Sequence, residues 1–64
     1  AILDRFKAGD QTIVGVVAAI YQSLDQRLIP AAQLSVFAHV EDLVERGQLR
    51  CEGPLSPHAY FYAA

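Results

Sequence analysis

The chain has 64 residues, a formal charge of −2 and 53% hydrophobic side chains. Those numbers allow one domain with a thin core, because a chain this short buries only about 60% of its unfolded surface. They exclude a basic nucleic-acid-binding tract, since Arg5, Lys7, Arg27, Arg46 and Arg50 are scattered. With no initiating Met and no polar run at either end, the sequence reads as residues 1–64 of a larger protein, forming a single domain.

Ala1 to Ala8 places Ile2, Leu3 and Phe6 on one face and meets Gly9, a helix-ending residue, so a first helix is predicted there. Asp10 and Gln11 turn the chain, and the Thr12 hydroxyl can accept from the free N–H groups of a second helix running from about Ile13 to Leu24. Its expected core stripe is Ile13, Val17, Ile20 and Leu24, widened by Val16 and Tyr21. The opposite side holds Gly15, Ala18, Ala19 and Gln22, and no charged residue occurs from Gln11 to Leu24. A surface helix normally shows charge to water, so this face reads either as covered by a partner or as plain Ala-rich surface.

Asp25 to Ile29 is predicted as a loop, and Pro30 suits the first turn of a third helix because its missing N–H costs nothing there. Val36, Val40, Leu43 and Val44 line one side of that helix, which stops at Gly47, while Glu41, Asp42 and Glu45 line the other. Leu49-Arg50-Cys51-Glu52 alternates as a half-exposed strand, and Ala59-Tyr60-Phe61-Tyr62 alternates as its hairpin partner. Residues 53–58 join them, and there is room for a minimal extra strand near Gln11-Thr12. Three helices followed by a two-stranded hairpin is the winged-helix plan, mainly α with a small β-hairpin, which often lays its last helix in the DNA major groove.

Charge argues against that use here. DNA affinity comes largely from cations that neutralise phosphates, and the third helix sets Arg46 against three carboxylates, Glu41, Asp42 and Glu45. The connection between the strands contains no Lys or Arg, only His58. No specific DNA binding is therefore expected.

Nor does catalytic or metal chemistry emerge. Two His, one Cys and seven carboxylates are dispersed, without a His-x-His or His-x-x-x-His pair. The four glycines are far apart and form no phosphate loop. Cys51 reads as a small hydrophobe in a strand, and a single thiol without a disulfide partner suits a reducing cytoplasm. The apolar stretch Ile13 to Tyr21 is under half of the roughly 20 residues a membrane span needs.

His39 is the polar residue with a chance of a special role. It lies at the edge of the third helix's apolar stripe, one turn from Ser35, with Asp42 at i+3 placed to hold its ring. The expected role of His39, Asp42 and Ser35 is structural, with a half-buried imidazole locking the helix in place. Tyr21, Tyr60 and Tyr62 each carry an apolar body and a polar tip, and so small a domain cannot bury all three. The candidate interface is thus Gly15, Ala18, Ala19, Tyr21 and Tyr60.

Ile20-Tyr21, Leu28, Ala31-Ala32, Ser35-Val36, Ala38-His39-Val40, Leu43 and Gly47, followed by an apolar strand, carry a family resemblance. Together they resemble the C-terminal winged-helix domain of metallo-β-lactamase-fold hydrolases. The family more often has Leu where this chain has Val40, a departure with no chemical consequence. The family's His-x-His-x-Asp-His zinc motif belongs to the preceding catalytic domain and is absent here, so no catalytic, cofactor-binding or metal residue transfers to any position. The resemblance implies an accessory domain that makes protein–protein contact with a zinc hydrolase's catalytic domain. It would help to shape the substrate cleft or an oligomer contact, with the zinc held elsewhere. The rival reading is a winged-helix transcriptional regulator domain that binds nucleic acid or dimerises.

Overall fold

The computed structural model describes residues 2–64. Its elements are α1 (Ile2–Lys7), α2 (Ile13–Ile20), a single 3-10 turn (Gln26–Leu28), α3 (Ile29–Glu45), β1 (Leu49–Glu52) and β2 (Tyr60–Ala63). Three helices and an antiparallel hairpin form the expected winged helix, with Ala1 outside the described residues.

The first and third helices stop by the same device. At Gly9 (φ +118°) and Gly47 (φ +77°) the chain enters the left-handed region, which a Cβ disfavours. Each turn is then closed by paired backbone bonds: Gly9 N–H donates to the Phe6 carbonyl and Asp10 N–H to Arg5, while Gly47 N–H donates to Val44 and Gln48 N–H to Leu43. This pattern satisfies carbonyls that the helix ends leave open. At the first stop the Arg5 guanidinium also grips the Asp10 carboxylate through Nε at 2.8 Å and Nη2 at 3.3 Å.

The second helix ends one turn earlier than its sequence pattern predicts. Its last backbone bond runs from Tyr21 N–H to the Val17 carbonyl, and Gln22 and Ser23 form a turn in place of a further helical turn to Leu24. Polar side chains that bond nearby backbone compete with helix extension, and Asp25 does so here by accepting from Arg27 N–H at 2.9 Å. That contact and the Arg27 guanidinium, at 3.1 Å, hold the exposed Asp25 carboxyl below its ordinary pKa, the side-chain bond contributing most. The expected loop Asp25–Ile29 accordingly contains a 3-10 turn that runs directly into α3.

Early termination alters the core stripe of α2. Ile13, Val16 and Val17 are buried as expected, but Ile20 is 40% exposed and Tyr21 42%, because the chain turns away before a further turn can face inward. The core is completed by Phe6, Val36, Val40, Leu49 and Phe61, with Ile2, Leu3, Leu43 and Val44 packed around it. Phe6 and Phe61 meet edge to face, ring centroids 6.0 Å apart at 72°, which ties α1 to the hairpin.

The strands pair Leu49 with Ala63, Arg50 with Tyr62, Cys51 with Phe61 and Glu52 with Tyr60. Leu49 and Phe61 point inward, whereas Arg50, Glu52, Tyr60 and Tyr62 are exposed on the other face. No strand forms at Gln11-Thr12. A single bond from Phe61 N–H to the Gln11 carbonyl, at 2.7 Å, stands at that position.

Candidate interaction surface

The outer face of α2 is built from its cap. Thr12 is extended (φ −128°, ψ 152°), and its hydroxyl accepts from Gly15 N–H at 3.0 Å. A Cβ at Gly15 would stand 3.1 Å from that same oxygen, so the absent side chain leaves room for the cap. Gly15 is therefore explained by local geometry, without any need for a close-approaching partner. Val14, four residues before Ala18, is 52% exposed. With Ala18 and Tyr21 it makes an apolar i, i+4, i+7 stripe that faces away from the core. Ala19 is half-buried beside it.

All three tyrosines are exposed, Tyr60 most of all at 56%. Sequence reasoning placed Ala18 and Tyr60 at the surface, assigned Tyr21 both to the core stripe and to the interface, and missed Val14, Leu28 and Leu34, the last of which is 64% exposed. Both Val14 and Leu34 fall off the apolar stripes of their helices, and a helical wheel carries that signal.

His39 departs from expectation. It is exposed, and its side chain makes no hydrogen bond or ion pair among the described residues. Asp42 pairs instead with Arg46, at 2.9 Å and one turn on, because a flexible cation at i+4 reaches the carboxylate more readily than a ring at i−3. Ser35 is exposed as well. His39 and Asp42 do meet at one place, the rim of an open groove of about 380 Å³ whose other walls are Ile2, Leu3 and Leu43.

The surface electrostatics follow from pairing. Arg5, Arg27 and Arg46 are each held by an aspartate within their own segment, at Asp10, Asp25 and Asp42. The outer side of α3 keeps Glu41 and Glu45 exposed, and the connection between the strands supplies no cation. Cys51 is half-buried, its Sγ 3.7 Å from the Pro54 carbonyl oxygen. Among the described residues no three His, Cys, Asp or Glu side chains come together as metal ligands, so these residues do not suit zinc. Among the described residues no helix is long and apolar enough to cross a membrane.

The family of beta-lactamase associated winged helix domains matches residues 12–54, a span from the α2 cap to the end of β1 and just beyond. No curated protein and no solved structure matches the chain.

Proposed function

Because the chain belongs to the family of beta-lactamase associated winged helix domains, we propose that it is the accessory domain of a metallo-β-lactamase-like zinc hydrolase, docked on the catalytic domain through the outer face of α2. The observation that carries the reading is that face: Val14, Ala18 and Tyr21 lie exposed on a helix with no charged residue. Leaving such a stripe in water forfeits burial worth about 25 cal/mol per Å² of apolar surface, and covering it recovers that energy. In this reading the catalytic domain holds the zinc and performs the hydrolysis. The present residues supply a rigid wall beside the substrate cleft or an oligomer contact.

Ala18→Glu tests the proposal. In the chain alone the new carboxylate is solvated and should shift stability by no more than about 0.5 kcal/mol. In the complete polypeptide the same charge would lie unpaired in a desolvated contact, which is strongly destabilising. Thermal melts of both should therefore diverge, and identical melts would reduce the face to ordinary surface.

A further inference from the structure

The third helix changes character along its length. From Leu28 to Val40 there is no Lys, Arg, Asp or Glu, whereas Glu41, Asp42 and Glu45 follow in its last turns. Val36 and Val40 are buried on the core side of α3. Pro30, Leu34 and Ala38 recur at i, i+4 and i+8 on the outward side, all exposed, with Ala31 exposed beside them. Leu34 is the most exposed large hydrophobic side chain among the described residues. Arg27 stands just before this apolar stripe and Glu41 just after it, both exposed. A stripe that ends in a cation on one side and a carboxylate on the other is complementary to itself when reversed.

We propose that this face packs on the same face of a second copy of the chain, the two α3 helices running antiparallel across a two-fold axis at Leu34. In that register Leu34 meets the partner's Leu34, Ala38 meets the partner's Pro30, and Glu41 stands opposite the partner's Arg27 at each end. The contact is isologous, as a two-fold dimer requires. Charge selects both the direction and the register. A parallel pair would set Glu41 against the partner's Glu41 and Glu45 against the partner's Glu45, and like charges so placed repel. An antiparallel pair centred one turn later, on Ala38, would press Asp42 onto the partner's Leu34 and Glu45 onto the partner's Ala31, desolvating carboxylates against apolar surface. One centred a turn earlier, on Ala31, would leave Arg27 opposite the partner's Ser35. Glu41 forms no ion pair among the described residues. Arg27 gives Asp25 one Nε and one Nη2 contact, and a guanidinium has five N–H donors, so others remain for the partner's carboxylate. That local pair is exposed and belongs to the weak class of ion pairs, so it does not hold Arg27 away. A single helix pair makes the association weak and concentration-dependent. The inference rests on the oligomer-contact side of the proposed function and uses a surface other than the outer face of α2.

Sedimentation velocity from micromolar to millimolar chain tests the pairing. The unmodified protein should show a monomer–dimer equilibrium. Leu34→Lys should abolish it, because two ammonium groups then meet at the axis. Arg27→Glu and Glu41→Arg should each raise the dissociation constant about tenfold or more, since each sets like charges in opposition. An equimolar mixture of these two variants should recover association, because both pairs between unlike chains are then opposite in sign. Circular dichroism melts of Leu34→Lys and Glu41→Arg should stay close to that of the unmodified chain, as both side chains are exposed. Ala18→Glu should leave the dimer intact, so this contact and the docking of α2 fail or stand separately. A chain that is monomeric throughout the range overturns the proposal, as does a dimer indifferent to Leu34→Lys or a mixture that fails to recover. A dimer lost with Ala18→Glu but kept with Leu34→Lys also overturns it and moves the second copy onto α2.

Discussion

At the residue scale, Thr12 and Gly15 act as a pair. The Thr12 hydroxyl satisfies one of the free N–H groups at the start of α2, and Thr12→Ala should cost about 1 kcal/mol in a chemical melt. Gly15→Ala would ordinarily gain about 0.5–1 kcal/mol inside a helix. Here the new methyl stands 3.1 Å from the capping oxygen and must disturb it, so the gain should be largely cancelled. In a Thr12→Ala background the crowding disappears and the gain should return in full. A double-mutant cycle reads this coupling directly, and additive effects would show that the two sites are independent. His39 is the contrasting case. Exposed and without a side-chain bond, it should tolerate replacement by Ala within about 0.5 kcal/mol in the isolated chain, as measured by thermal melting.

At the scale of elements, the hairpin and α1 depend on each other through two aromatic rings. Phe61 is fully buried and meets Phe6 edge to face. Phe61→Ala removes the ring from the centre of the core and should cost about 3–5 kcal/mol. Native domains are stable by only about 5–15 kcal/mol, and one this small lies toward the low end. Near-complete loss of cooperative unfolding at room temperature is therefore expected, with collapse of near-ultraviolet circular dichroism as the readout. The helix stops are a second element-scale feature: Gly9 and Gly47 were legible as ends because a left-handed C-terminal turn strongly favours glycine. The end of α2 was hidden, since no Gly or Pro marks it and the signals reside in Gln22 and Asp25, whose side chains bond the local backbone.

Considered as a whole molecule, the domain joins a winged-helix architecture to an acidic balance of charge. Three of its five cations are neutralised by nearby aspartates, and the exposed side of α3 carries Glu41 and Glu45. Duplex DNA titrated at about 150 mM salt should bind no tighter than the roughly 10⁻⁴ to 10⁻⁶ M typical of nonspecific complexes. Fluorescence anisotropy would check this, and sub-micromolar binding with a steep salt slope would instead support the regulator reading.

The order of helices and strands, the buried faces of α1 and α3, and the inward Leu49 and Phe61 were all determined by sequence, because periodicity and turn chemistry are local properties. The tertiary structure decided what depends on neighbours distant in the chain or on competing side chains. It turned Ile20 and Tyr21 outward when α2 stopped early, and it left a single backbone bond at Gln11 where a strand had room to form. It gave Asp42 to Arg46 and left His39 on the rim of a groove shared with α1. It also set the bond parity of the hairpin. Side-chain alternation shows which residues face the core, but only the pairing of two strands shows which backbone groups are left without a partner.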